Sequence, residues 1–147
     1  MNALHTYWWT LLPCAALFGY VFRGRREYWY TNRGEDLVRK VLIAQLPSDS
    51  WHLLNNVTLQ IDGGTTQIDH VLVSRYGVFV IETKHYKGWI FGDEKSKQWK
   101  QVIYNQRHRF QNPLHQNYKH LKAVQASLDF LAPDQIVGAV VFTGEAE

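Results

Sequence analysis

The sequence predicts an α/β domain with a central mixed sheet flanked by helices. Apolar runs rich in β-branched and aromatic residues recur between turn residues, at 51–61, 68–73, 78–84 and 137–142. Such runs are typical of strands. Apolar residues also recur at helical spacing from Leu37 to Leu46 and from Leu114 to Leu131. Helices before and after hairpin-linked strands favour one domain built around a single sheet.

Length and composition support one globular domain with a short appendage. The chain has 147 residues, four prolines and a formal net charge of +3. Its one cysteine, Cys14, excludes a disulfide framework or a Cys-rich zinc site within the chain.

The appendage is the amino-terminal segment, where residues 3–22 contain no Asp, Glu, Lys or Arg. A helix of about twenty residues spans about 30 Å, the thickness of a bilayer core. The basic cluster 23–26 follows and is expected to stay cytoplasmic. We therefore predict a transmembrane anchor at 1–22, a basic juxtamembrane linker at 23–30, and a domain at 31–147 that faces the cytoplasm. The alternative is a buried apolar helix or an interfacial segment.

The domain is predicted to begin with a helix. Asn32 and Glu35 have the spacing of a capping box. The apolar periodicity then continues to a break at residues 47–50. The strand at 51–61 follows and is closed by the turn Asp62-Gly63-Gly64.

The runs 68–73 and 78–84 predict an antiparallel hairpin, because only Ser74-Arg75-Tyr76-Gly77 separates them. In a symmetric hairpin Val73 faces Val78.

Counting outward from that pair places Asp69 opposite Glu82, with Lys84 on the same face as Glu82. Opposed carboxylates have Cβ atoms about 4.5–5.5 Å apart, so they should repel and raise one another's pKa. A divalent cation removes this repulsion, and hard oxygen ligands suit Mg²⁺. The alternative is a surface salt bridge between Glu82 and Lys84, with Asp69 on a solvated face.

A second hairpin is predicted from Trp89-Ile90-Phe91 and residues 99–103, around the polar turn 93–97. Core packing is the expected role of Trp89 and Trp99.

A second helix is predicted from Asn112, because Asn112 and Pro113 are typical N-cap and N1 residues. Its apolar residues continue to Leu131, and Pro133 ends it. The run 137–142 is then predicted to be a buried strand.

Together these motifs resemble a known family. They are Gly34-Glu35, Gln67-Ile68-Asp69-His70-Val71, Gly77-Val78-Phe79-Val80-Ile81-Glu82-Thr83-Lys84, Lys87-Gly88, Trp99 and Asn112-Pro113-Leu114-His115-Gln116-Asn117. This set resembles the PD-(D/E)xK nuclease superfamily and, more closely, the NERD (nuclease-related) domain, from about Arg33 to Phe142. Ile68 stands where the wider superfamily has proline. The resemblance implies a restriction-endonuclease-like fold and action on DNA, although such domains can lose catalysis and keep the fold.

The resemblance also implies a metal-dependent site on the hairpin. Asp69 and Glu82 would bind Mg²⁺ or Mn²⁺, with the carbonyl of Thr83 as a third protein ligand. Lys84 would orient or deprotonate the attacking water, or offset the charge that develops in the transition state.

Two residues outside the hairpin complete the candidate site. Glu35 could join the metal site, act in the capping box, or do both, because the two roles are compatible. Gln116 would contact phosphate or water; the alternative is an ordinary polar helix residue.

The segment 83–123 is basic, with nine Lys or Arg residues against two acids, and aromatic residues are interleaved. Cations bind phosphate, and aromatic rings can stack on unpaired bases. The predicted nucleic-acid-binding residues are Lys87, Lys95, Lys97, Lys100, Arg107, Arg109 and Gln116. Adhesion to anionic lipid headgroups is the second explanation for this charge.

The sequence therefore predicts a membrane-anchored, Mg²⁺- or Mn²⁺-dependent nuclease that acts on DNA without a small-molecule cofactor. The alternatives are a DNA-binding module without catalysis and a membrane-associated scaffold that retain the same fold.

Overall fold

The computed structural model describes residues 33–147. Helix α1 covers residues 33–45. The strands are β1 (Trp51–Ile61), β2 (Gly64–Ser74), β3 (Gly77–Phe91), β4 (Gln98–Ile103), β5 (Gln106–Gln111) and β6 (Ile136–Ala146). Helix α2 is Pro113–Ser127, and a 3₁₀ turn, Pro133–Gln135, precedes β6.

The six strands form one mixed sheet with β3 at its centre. The order β1-β2-β3-β4-β5 is antiparallel throughout, and β6 pairs with β3 in parallel. The β2–β3 ladder includes the predicted pair Val73↔Val78 and ends at His70↔Ile81. The mixed α/β class is therefore confirmed, and so is the hairpin register up to that last pair.

The apolar core lies between the sheet and α2. Its buried members include Ile68, Val78, Val80, Val124 and Ile136. Burial of such an aliphatic side chain contributes about 1.5–3 kcal/mol, so this cluster fixes α2 against the centre of the sheet.

The β4–β5 hairpin extends the sheet beyond this core. It joins the far end of β3 through Trp89↔Val102 and Phe91↔Lys100. On one face Trp99 stacks on Phe142, with ring centroids 6.0 Å apart and planes 5° apart. Phe110 completes this aromatic cluster by packing edge-on against Tyr86 at 4.6 Å.

The structure differs from the sequence predictions at three places. The helix α2 ends at Ser127 rather than near Leu131, because Leu128 and Leu131 reach the core from the turns that follow it. Strand β5 was not predicted. Trp89 is 57% exposed rather than packed in the core.

The predicted anchor at 3–22, the linker at 23–30 and the N-cap Asn32 lie outside the described residues. Within residues 33–147, each helix is too short or too polar to span a bilayer.

Candidate active site

The candidate site lies along one edge of β3. Strand β6 pairs with β3 from Val78 to Gly88, so β2 and β4 both pair with the other edge. On that edge the β2 ladder stops at Ile81 and the β4 ladder begins at Trp89. Residues 82–88, the open edge of β3, therefore have no strand partner there within the part of the chain that the structure describes.

Asp69 occupies the beginning of the open edge. Its Oδ2 accepts a hydrogen bond from the backbone N–H of Thr83 at 2.7 Å. The next pair after His70↔Ile81 would be the predicted pair Asp69↔Glu82. The ladder ends before it, and at this position Asp69 instead bonds the backbone of Thr83 through its side chain. Opposite Asp69, Asn56 of β1 adopts a φ of 53°, a left-handed conformation that asparagine tolerates.

The pKa of Asp69 is raised. Burial is the main cause, and the nearby charge of Glu82 adds to it, while the Thr83 N–H and Lys84 work in the opposite direction. Asp69 thus behaves as the sequence predicted for a carboxylate beside a second carboxylate.

Glu82 is 1% exposed, so its charge needs partners. Lys84 Nζ donates to Oε1 at 2.6 Å, and His120 Nε2 lies 3.1 Å from Oε2. Burial acts to raise the pKa of Glu82, but the bonds from His120 and Lys84 outweigh it and the pKa is lowered. The expectation that both carboxylates have raised pKa values was therefore wrong for Glu82.

His120 is held in place from its other side. Its Nδ1 lies 2.9 Å from Oγ1 of Thr66 on β2. Because an ionised carboxylate only accepts hydrogen bonds, Nε2 carries the proton that is shared with Glu82. The ring therefore connects β2 with β3 through α2, and it is 4% exposed.

Lys84 lies between β3 and α2. Besides Glu82, its ammonium donates to Oε1 of Gln116 at 3.0 Å. The side chain is 17% exposed, so the ammonium group is only partly accessible to solvent. Gln116, predicted to contact phosphate or water, here orients Lys84.

Helix α2 brings these partners to the sheet. Gln116 and His120 are four positions apart, so they lie on one face. Between them Asn117 donates through Nδ2 to the carbonyls of Val80 at 3.1 Å and Ala139 at 2.9 Å. Asn117 therefore fixes the helix across β3 and β6. Neither His120 nor Asn117 was predicted to belong to the site, although the spacing of Gln116 and His120 on one helix was a usable signal.

Helix α1 brings Glu35 to the same place. A Cβ on Gly34 would lie 2.6 Å from Cβ of His85 and 2.8 Å from Oγ1 of Thr143. Only glycine therefore allows this close approach of the helix to β3 and β6. The pKa of Glu35 is raised to about 7, first by burial and then by the charges of Asp69 and Glu82.

The structure thus brings together Glu35, Asp69, Glu82, Lys84 and Gln116, with Thr83 between the carboxylates. It leaves the six predicted basic nucleic-acid contacts outside this cluster, all on exposed positions: Lys87, Lys95, Lys97, Lys100, Arg107 and Arg109.

For a metal ion, the available donors are oxygens. Within residues 33–147 there is no group of three or more His, Cys, Asp or Glu side chains arranged to hold one. The donor set at the open edge is instead the carboxylates of Asp69 and Glu82 with the backbone of Thr83. Thr83 directs its N–H and C=O to the same edge as Asp69, as a strand residue does.

An α/β domain with two carboxylates and a lysine gathered at the open edge of its central sheet has the arrangement that the sequence resemblance implies. In agreement with this, residues 30–143 match the model of the nuclease-related domain, NERD. The chain belongs to this family.

One relative is an uncharacterized protein of Bacillus anthracis, which is 49% identical over 98 residues, or 66% of this chain. The chain spans 46% of that protein's length. No solved structure matches the chain.

Proposed function

We propose that this domain hydrolyses DNA phosphodiester bonds at the open edge of β3, with Mg²⁺ or Mn²⁺ as cofactor. Membership of a nuclease-related family supports the reaction class. The observation that carries the proposal is the convergence of Asp69, Glu82 and Lys84, since Lys84 Nζ lies 2.6 Å from Glu82 and the pKa of Asp69 is raised by burial and by Glu82.

The donor chemistry fits a hard divalent cation. Mg²⁺ takes one or two carboxylates and fills its other positions with water and phosphate oxygens. Asp69 and Glu82 supply these carboxylates, and each oxygen that already accepts a hydrogen bond keeps a second lone pair. The carbonyl of Thr83 is the proposed third protein ligand. Burial is the main cause of the raised pKa values of Glu35 and Asp69, and a cation here would offset the carboxylate repulsion that adds to it.

When bound, the cation supplies Lewis acidity and a more acidic water. The residues of the chain divide the remaining work. Lys84, held by Gln116 at 3.0 Å, would offset the negative charge that develops on the phosphate or orient the attacking water. Glu35, with a pKa of about 7, can exchange a proton near neutral pH.

Cleavage tests this proposal directly. The purified 147-residue chain is incubated with single-stranded, duplex and branched DNA in Mg²⁺, Mn²⁺ or EDTA. We expect metal-dependent cleavage that Asp69→Asn abolishes and that Lys84→Ala lowers by roughly 10²–10³-fold.

The matched control is Lys122→Ala, since Lys122 is an exposed lysine of α2 that bonds Gln125 and should leave cleavage unchanged. A folded protein that cuts none of these substrates with either metal would refute the proposal.

A second candidate function is DNA binding without cleavage. The observation that favours it is that both oxygens of Glu82 already have partners, Lys84 and His120. A site satisfied in this way is stable without a metal. This candidate predicts DNA binding that persists in EDTA and in Asp69→Asn, with no product in any metal.

Membrane anchoring through residues 3–22 is a separate proposal that rests on the sequence alone. It places the domain in the cytoplasm, on the side of the membrane where DNA is the expected substrate. A reporter fused to the carboxyl end should be active only in its cytoplasmic form, and activity on the opposite side of the membrane would contradict this orientation.

A further inference from the structure

Two large aromatic side chains lie exposed at the end of the sheet. Trp89 is 57% and Phe91 is 53% exposed. They are on the part of β3 that pairs with β4, beyond the apolar core. Exposed aromatic groups that are adjacent to one another commonly mark a binding surface.

The strand register places cations beside both rings. Phe91 pairs with Lys100, which in turn pairs with Arg109. Trp89 pairs with Val102, which in turn pairs with Arg107. Directly paired residues have side chains on the same face. We call the surface formed by Trp89, Phe91, Lys100, Arg107 and Arg109 the aromatic–basic face.

The opposite face of the same hairpin carries its packing contacts. It carries Trp99 and Phe110, which contact Phe142 and Tyr86. Packing on this side therefore fixes the hairpin against β3 and β6. The aromatic–basic face, on the other side, is exposed on a hairpin whose position is fixed.

A groove of about 420 Å³ borders this face. It is lined by Phe91, Trp99, Lys100 and Arg109, together with the loop that includes Asp93. Asp93 Oδ1 accepts hydrogen bonds from the backbone N–H groups of Lys95 and Ser96, so the carboxylate is held by its own loop and keeps its negative charge at the groove. The groove therefore offers a ring face beside two cations.

Two further acidic groups lie on the β6 side of the face. Glu147 Oε2 accepts a hydrogen bond from the indole N–H of Trp89 at 3.0 Å, and Glu145 lies 3.7 Å from Lys87. The cations of the face are thus on β4 and β5, and these carboxylates are on the side of Trp89.

We propose that the aromatic–basic face binds an unpaired stretch of DNA. Bases stack on Phe91 and Trp89, while Lys100, Arg107 and Arg109 bind the phosphates. Stacking on aromatic side chains with a neighbouring cationic track is how single strands are held without sequence preference. In a duplex the base faces are stacked on one another and cannot reach the rings, so the face discriminates in favour of single strands.

If the domain is a nuclease as proposed above, binding at this face implies that its substrate carries a single-stranded segment. That consequence rests on the proposed function. Trp89 is five residues from Lys84 along β3, about 17 Å at 3.3 Å per residue. That distance matches about five stacked nucleotides of one strand. Lys84 lies on the same face of β3 as Tyr86, opposite to the aromatic–basic face, so a strand held on that face would reach Lys84 by crossing the open edge of β3.

Binding in EDTA tests the face without any need for cleavage. Labelled oligothymidine and a labelled duplex are titrated with the full chain, and fluorescence anisotropy is measured. Trp89→Ala and Phe91→Ala should each weaken single-strand binding on the order of tenfold and leave duplex binding unchanged. Phe91→Leu, which keeps an apolar side chain, should weaken it to a similar extent because leucine cannot stack.

The matched control is Tyr104→Ala. Tyr104 is 96% exposed in the turn between β4 and β5. The substitution therefore removes an aromatic ring from the same hairpin but not from the aromatic–basic face. Its affinity for the single strand should equal that of the unaltered chain. Lys100→Ala and Arg109→Ala should weaken binding and make it less dependent on salt concentration.

Unchanged single-strand affinity in both aromatic variants would overturn the inference, as would an equal loss of affinity for the duplex.

Vesicles of phosphatidylserine and phosphatidylcholine test the lipid alternative. If the aromatic substitutions abolish vesicle binding and leave oligothymidine binding unchanged, the face binds a lipid surface instead. Single-strand binding without cleavage would refute the nuclease proposal alone, whereas duplex cleavage without single-strand binding would refute this inference alone.

Discussion

Glu82 occupies a position in which a sheet usually holds an aliphatic side chain. Its neighbour on the same face, Val80, is 0% exposed, and Glu82 itself is 1% exposed. A buried carboxylate without partners would be destabilising by several kcal/mol. Lys84 and His120 provide those partners, which lowers the pKa of Glu82 and keeps it ionised.

His120 should therefore matter for both stability and ionisation. His120→Leu leaves Oε2 of Glu82 buried without its donor, so we expect a loss of about 1–3 kcal/mol in the free energy of unfolding. The pKa of Glu82 should rise, because burial would be opposed by Lys84 alone. Urea unfolding and an NMR titration of the Glu82 carboxyl carbon measure the two effects. Lys119→Leu, at the exposed preceding position, is the control; equal behaviour of the two variants would show that His120 has no such role.

Glu35 should make stability depend on pH. Its pKa is raised from 4.5 to about 7, mainly by burial and then by Asp69 and Glu82. Below about 4.5 the group is protonated in both states, and between 4.5 and 7 the unfolded chain loses the proton first. Stability is therefore lost as pH rises through this range.

Glu35→Gln should remove that loss, roughly 1–2 kcal/mol after allowance for solvent screening of a partly exposed group. The measurement is the difference between the unfolding free energies of the variant and the unaltered chain from pH 4 to pH 8. Glu145→Gln, an exposed substitution of the same kind, serves as control. A constant difference across this range would mean that Glu35 does not lie beside the carboxylates.

At the scale of the elements, one asparagine connects helix α2 with the loop before β4. The Oδ1 of Asn112 accepts from the N–H of Leu114 at 2.9 Å, which caps the helix. Its Nδ2 donates to the carbonyls of Asp93, Glu94 and Ser96. The cap was predicted from the sequence, whereas the bonds to the loop were not, because they depend on residues that are distant along the chain.

This double role leads to a prediction that reverses the usual order of N-cap residues. Aspartate is as good an N-cap as asparagine and much better than alanine. At position 112, however, Asn112→Asp turns a carboxylate towards three carbonyls in a fully buried site. We expect Asn112→Asp to be destabilised by about 3 kcal/mol or more and to melt below Asn112→Ala. If Asn112→Asp is the more stable of the two, capping is the dominant role.

At the scale of the whole molecule, the sequence predicted what local signals determine. The pair Val73↔Val78 followed from a short loop between alternating residues, and the start of α2 followed from Asn112 and Pro113. Strand β5 was missed because its sequence, QRHRFQ, is mostly polar and exposed. Its place in the sheet comes from pairing with β4 rather than from a pattern of its own.

The candidate site was predictable in part for the same reason. Asp69, Glu82 and Lys84 lie on one hairpin, so counting along the strands brought them together. His120 lies 38 positions from Glu82, and only the packing of α2 on the sheet makes them neighbours. The parallel pairing of β6 with β3 is also long-range. Because β6 occupies one edge of β3, β2 and β4 both pair with the other edge.

The central claim is that Asp69 and Glu82 bind a divalent cation, and thermal unfolding in Mg²⁺ against EDTA tests it most directly. A metal at about 100 times its Kd should stabilise the fold by about 2.7 kcal/mol. Asp69→Asn and Glu82→Gln should lose this stabilisation, while Lys84→Ala should keep most of it because lysine is not a ligand. If Asp69→Asn retains the full Mg²⁺-induced increase in melting temperature, the cation binds elsewhere and the account of the site is wrong.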